Sequence, residues 1–169
     1  MAWTVLAPCG ALLAALLPCA PVSVQAHGDA KGPSVMPATS ESTGPAMTIY
    51  RSASCGCCTQ WGDHIAAAGF RINDQIQEDM DRGKQANGIA PDQASCHTAI
   101  VEGYVIEGHV PAADIARLLA ERPAGVKGLA VPGMPLGSPG MDMGNRKQAF
   151  QVIAFGEKGR SVFASYPGT

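Results

Sequence analysis

Three of the six cysteines fall within four residues, in Ser54-Cys55-Gly56-Cys57-Cys58-Thr59. An apolar, strand-like run (Met47, Ile49, Tyr50) precedes them and a helix-like run (Gln60 to Ala68) follows. A Cys-x-x-Cys pair, Cys55 and Cys58, at the junction of a strand and a helix restricts the fold more than any other stretch of the chain. The first turn of a helix has free backbone N–H groups and the positive end of the helix dipole, so it stabilises negative charge. Thiols placed there lose their protons more readily. Cys57 is the thiol that an ordinary redox pair lacks.

The remainder of the chain is expected to supply an α/β frame for that junction. Met47 to Arg51 reads as a strand. Thr59 to Ala68 reads as a helix with Trp61, Ile65 and Ala68 on one face, closed by Gly69. Phe70 to Ile76 is a strand, and Glu78 to Asn87 is a polar, weak helix closed by Gly88. After a turn at Pro91-Asp92, Thr98 to Val101 and Tyr104 to Glu107 form a hairpin about Glu102-Gly103. Pro111 opens a helix with Ile115, Leu118 and Leu119 as its core stripe, ended by Pro123. This is the β-α-β-α-β-β-α order of a thioredoxin-like domain, which carries a Cys-x-x-Cys between its first strand and first helix. Gly128 to Gly144 reads as an appended Gly/Pro/Met loop. Gln151 to Phe155 and Ser161 to Tyr166 then form a C-terminal hairpin about Glu157-Lys158-Gly159. A loop of that length in a compact domain is usually functional or mobile.

Residues 1–26 carry no charged side chain. The apolar run Ala11 to Leu17, followed by Val24-Gln25-Ala26, fits a secretory signal peptide cut before His27. Pro8, Pro18 and Pro21 leave that run too short to span a membrane. Pro18 also makes Cys19 a poor lipidation site. Residues 27–46, rich in Gly, Pro, Ser, Thr and Ala, read as a disordered linker in which His27 is an ordinary linker histidine. The domain proper is then 47–169. The 12 Lys and Arg are scattered and not interleaved with aromatic residues, which argues against nucleic acid. Cleavage removes Cys9 and Cys19 and leaves Cys55, Cys57, Cys58 and Cys96. In an oxidising compartment these must be paired, metal-bound or kept reduced by a partner.

Cys96, just before the third strand, is expected to join the pocket of the other three. Four converging thiolates form a soft ligand set suited to Cu(I), Zn(II) or iron–sulfur. Vicinal Cys57 and Cys58 do not easily close on one tetrahedral ion and suit bridging across more than one Cu(I). The alternative is two disulfides, for example Cys55–Cys58 and Cys57–Cys96, and the sequence does not choose among the three pairings. Strand alternation points His97 away from Cys96, as a packing or supporting residue rather than a direct ligand. His64 reads as a solvated helix histidine, and His109 as a capping or turn residue. Met134, Met141 and Met143 are thioethers that either bind Cu(I) or fill gaps beneath the loop.

Four segments together are similar to the CopG-type family of exported metal-binding proteins: Cys-Gly-Cys-Cys, Ala-Ser-Cys-His-Thr-Ala, Gly-Tyr-Val-Ile-Glu-Gly-His-Val-Pro and Gly-Leu-Ala-Val-Pro-Gly-Met-Pro-Leu-Gly-Ser-Pro-Gly-Met. The resemblance runs over about residues 47–166. It implies a thioredoxin-like fold, a periplasmic location, a role in copper resistance, and copper held by Cys55, Cys57, Cys58 and Cys96. It also implies periplasmic copper-handling partners and a redox step on copper. Two other functions fit parts of the pattern. One is a thiol–disulfide oxidoreductase with Cys55 as nucleophile and Cys58 as resolving thiol. The other is a zinc-stabilised structural domain, which leaves the Met loop and the vicinal thiols without a role.

Overall fold

The computed structural model describes residues 43–142 and 144–169. The signal-peptide and most of the linker expectations, and that for Met143, lie outside the described residues. The first strand, β1 (Ala46–Arg51), leads into α1 (Gly56–Ala67) and β2 (Arg71–Ile76). Then come α2 (Met80–Ala86), β3 (His97–Val101), β4 (Tyr104–Glu107) and α3 (Ala112–Glu121). The expected β-α-β-α-β-β-α order is therefore present, with a short 3₁₀ turn over Pro91–Gln93. Three further strands follow: β5 (Val126–Ala130), β6 (Phe150–Gly156) and β7 (Gly159–Tyr166).

All seven strands form one mixed sheet in the order β2-β1-β3-β4-β5-β6-β7. Pairs β1–β2 and β4–β5 are parallel, and the other four pairs are antiparallel. The parallel pairs are the ones bridged by helices α1 and α3, as crossover connections require.

One expectation is corrected here. The start of the supposed loop is strand β5, so the C-terminal hairpin extends the sheet instead of hanging from it. Gly128 made this stretch look irregular, yet the strand needs it. A Cβ at Gly128 would collide with the Val105 carbonyl and lie 2.8 Å from the Phe155 ring. The glycine is what allows β4 and the β6 aromatic to close on β5.

Helix α1 also begins at Gly56, ahead of the expected Thr59, so Cys57 and Cys58 are in its first turn and Cys55 is its N-cap. Its inward face presents Cys58, Trp61 and Ile65, whereas Ala68 is the exposed C-cap. Met47 and Ile49 from β1, Ile106 from β4, Ile115 and Leu118 from α3, and Leu129 from β5 complete a core from which water is excluded. Burial of such side chains is worth roughly 1.5–3 kcal/mol each. Trp61 Nε1–H donates to the Val110 carbonyl at 2.9 Å, which holds α1 to the β4–α3 connection. On the far side, Tyr166 donates to Asp114 at 2.7 Å and Arg117 lies 3.7 Å over the Phe163 ring, so β7 is tied to α3. Burial and the Asp114 carboxylate push the Tyr166 hydroxyl up to about 12.

Candidate metal centre

The end of β1 and the start of α1 form a tight turn, in which Cys55 N–H donates to the Ser52 carbonyl at 3.2 Å. The turn delivers three thiols to one place because positions 55 and 58 fall one helical turn apart and 57 lies between them. Cys55 and Cys58 are joined in a disulfide with Cα atoms 5.3 Å apart. Cys58 is buried, whereas Cys55 and Cys57 are half-exposed. Cys57 Sγ lies 3.6 Å from Cys55 Sγ and 3.9 Å from Cys96 Sγ. All four sulfurs fall within 4.8 Å of one another, and Cys57 and Cys96 are free thiols. Of the two bridges considered from sequence, the first is formed and the second pair is open.

Cys96 is placed by the chain entering β3, which is paired to β1 along its length, with Arg51 opposite His97. The β-ladder thus carries Cys96 back to the turn that starts at residue 52. Burial, and next the neighbouring Cys57 thiol, push the Cys96 thiol up to about 12. In the metal-free protein it is therefore a protonated thiol at neutral pH.

Two histidines complete the cluster. His109 Nε2 lies 3.0 Å from Cys96 Sγ, and His97 Nδ1 lies 3.4 Å from the same sulfur. His109 Nδ1–H donates to the Pro139 carbonyl at 2.8 Å. A carbonyl only accepts, so this bond assigns the ring proton to Nδ1 and leaves the Nε2 lone pair facing the thiol. Both imidazoles are buried, and burial pulls their basicity below the ordinary histidine value, strongly so for His97. They stay neutral at pH 7 and remain donors of lone pairs. His97 packs on Trp61, ring centroids 4.3 Å apart, and its Nε2 has no hydrogen-bond partner.

Two sequence readings change. For His109 the sequence supports a capping or turn role equally well, and the structure places it against Cys96 in the candidate centre. Its partners, Cys96 and Pro139, are 13 and 30 residues away, so local context carried no signal for them. His97 was expected to point away from Cys96, yet the two are in contact. Cys96 precedes the strand, so the alternation that separates neighbours within a strand does not apply to the pair.

The Gly/Pro/Met loop lies directly on this turn. Gly140, at φ +79°, is so close to α1 that a Cβ would sit 2.7 Å from both the Cys57 carbonyl and the Trp61 nitrogen. Within the loop, Met141 N–H donates to the Ser138 carbonyl and Gly137 N–H donates to the Met141 carbonyl. Met141, next to Gly140, is half-buried; Met134 stands out into solvent. His64 is exposed as expected, and its Nε2 accepts from Ala112 N–H at 3.3 Å.

Fold and site together define a mixed α/β domain with a cysteine–histidine centre of the type that holds soft metal ions. Two solved structures, described as copper resistance protein copG in forms 1 and 2, match it. Form 2 is 45% identical over 73% of this chain and 98% of that one, with a TM-score of 0.70. Form 1 is 46% identical over 74% of this chain and 100% of that one, with a TM-score of 0.69. The chain belongs to the copper resistance protein CopG family. Residues 93–141 match the family described as protein of unknown function DUF411. Among curated proteins no match was found. Among the described residues no helix is long and apolar enough to cross a membrane.

Proposed function

We propose that this chain is an exported copper-binding protein that takes Cu(I) as its cargo through Cys55, Cys57, Cys58 and Cys96 and so contributes to copper resistance. The observation that carries the reading is the convergence of four sulfurs within 4.8 Å, with the His109 lone pair beside Cys96. Thiolate and neutral imidazole are the donors that Cu(I) prefers, and among the described residues the cluster holds none of the carboxylates that suit a hard cation such as Mg²⁺. Cys57 and Cys58 are adjacent on one helical turn, so their sulfurs suit two ions bridged by shared thiolates better than one tetrahedral ion. His97 supports Cys96 from the side, and Met141, at the edge of the loop, is suited to shield or guide the ion.

The Cys55–Cys58 bridge has to open before both sulfurs can bind. That takes two electrons and two protons, supplied by an external dithiol through thiol–disulfide exchange. The same bridge favours a second reading, a periplasmic thiol–disulfide oxidoreductase acting through Cys55 and Cys58. Cys57 and Cys96 fit that role poorly, because they offer competing internal partners within 4 Å. A redox step on the copper itself, export to the periplasm through the signal peptide, and hand-over to periplasmic copper-handling proteins extend the first reading.

Anaerobic titration of the reduced protein with Cu(I) decides between the two. Copper binding above one ion per chain, lowered by Cys57→Ser and by Cys96→Ser, supports the copper reading. Insulin reduction that needs only Cys55 and Cys58, with no tight copper, overturns it. N-terminal sequencing of the protein recovered from the periplasm, expected to begin at His27, checks export.

A further inference from the structure

Beneath the thiols lies a second polar cluster that the metal reading does not use. Glu107, the last residue of β4, is fully buried, and Lys84 on α2 is nearly so. Lys84 Nζ donates to Glu107 Oε1 at 2.6 Å and to Thr98 Oγ1 at 3.2 Å. Such a pair loses much of its attraction to desolvation, so it is weak evidence of a purely stabilising role.

We infer that Glu107, neutralised by Lys84, is the positioning residue for the Cys96–His109 half of the metal centre. A tie between α2 and the sheet would need only the ammonium and one carboxylate oxygen. Here Oε1 also accepts the Ser95 N–H at 2.6 Å, and Oε2 accepts the Thr98 hydroxyl at 2.6 Å. Ser95 immediately precedes Cys96 and Thr98 follows two residues later, so one carboxylate clamps the chain on both sides of that thiol. The clamp also acts on the histidine, because Glu107 is followed by Gly108 and His109.

The chain leaving β4 is pressed against the chain entering β3. A Cβ at Gly108, φ +72°, would lie 2.5 Å from the Ser95 side chain and 2.6 Å from the Val131 carbonyl. Gly108 N–H donates to the His97 carbonyl at 3.0 Å, and Ser95 Oγ donates to the Gly133 carbonyl at 2.5 Å. The 3.0 Å approach of His109 Nε2 to Cys96 Sγ is thus fixed from behind by a group that touches neither atom. Outer hydrogen bonds of this kind commonly set metal affinity.

The copper arm of the test rests on the proposed function, so the decisive arm is metal-free. Two full-length double variants are compared. Lys84→Met with Glu107→Leu replaces the pair by apolar groups of similar volume and removes the acceptor for Ser95. Lys84→Met with Glu107→Gln removes both charges but keeps a carbonyl acceptor. Iodoacetamide labelling of the reduced, metal-free protein, read by peptide mass mapping, is expected to be severalfold faster at Cys96 in the Leu variant and close to wild type in the Gln variant. Cu(I) affinity is expected to fall about tenfold in the Leu variant and to recover in the Gln variant. Thr98→Val, which leaves the ion pair in place, gives a smaller rise in Cys96 labelling and guards against a Leu variant that does not fold. Equal labelling of Cys96 in wild type, Thr98→Val and a folded Leu variant overturns the inference. Faster labelling with unchanged copper affinity supports the positioning role and counts instead against Cys96 as a copper ligand.

Discussion

Two clusters of polar side chains meet at the same end of β3 and β4, and they are built on opposite plans. In the carboxylate cluster Lys84, Glu107 and Thr98 are buried and spend their hydrogen bonds on one another and on Ser95. In the thiol cluster Cys57 and Cys96 are half-exposed and unbridged, and His97 Nε2 has no partner. Buried polar groups are normally satisfied. The first cluster obeys that rule. The second leaves two thiols unbridged and one buried imidazole nitrogen without a hydrogen bond.

If the contrast holds, substitutions in the carboxylate cluster should lower stability together with copper binding, and those in the thiol cluster should lower copper binding alone. Glu107→Ala alone leaves a buried ammonium without its partner and is expected to cost about 3–5 kcal/mol in urea unfolding, the largest of these effects. Gly140→Ala comes next. It forces a side chain onto a left-handed backbone already touching α1, with an expected loss of about 1–3 kcal/mol. Copper binding should weaken with it, because the Pro139 carbonyl that sets the His109 proton moves with its neighbour. Cys96→Ser belongs on the other side of the contrast. Its unfolding free energy in urea should change by less than about 1 kcal/mol, since the residue is half-exposed, while copper stoichiometry falls. A Cys96→Ser protein as unstable as Glu107→Ala would erase the distinction.

Smallest in its effect on stability is a pH dependence. The raised Cys96 pKa means that its reactive thiolate is scarce at neutral pH, so the sign is slow alkylation that speeds up with rising pH. In folded, metal-free protein the rate should climb about tenfold per pH unit above pH 8, with no plateau before the range near 12. A plateau near pH 9 would show that Cys96 is not held in its buried setting.

Much of the thiol cluster was legible in the sequence because its signals are local. The Cys-Gly-Cys-Cys run, the apolar strand before it and the helix after it all lie within about twenty residues. The element order then placed Cys96 beside them without any knowledge of contacts. The hairpin of β3 and β4 was equally readable, with Glu102 and Gly103 both at positive φ in the tight turn. The carboxylate cluster was not readable. Lys84 sits in a stretch that reads only as a polar, weak helix, and its partner lies 23 residues away. The role of His109 stays open in the sequence for the same reason, since its place before Pro111 fits a turn equally well. Strand β5 was lost because Gly128 is a loop residue by composition and a close-packing residue in place. Each of these cases concerns a residue whose meaning is set by a distant neighbour.

The spacing of the bridged cysteines also bears on the order of events as the chain emerges. Cys55 and Cys58 are separated by 3 positions, while Cys57 and Cys96 are separated by 39. In a flexible chain the longer closure is less favourable by on the order of 2 kcal/mol. Under oxidising conditions the local pair is therefore the one favoured to close before β3 has brought the fourth thiol into reach. The early bridge keeps two sulfurs out of reach of stray partners, and Cys57 and Cys96 meet only once the sheet is complete. On the proposed copper reading, all four sulfurs become available together only after that bridge is reduced.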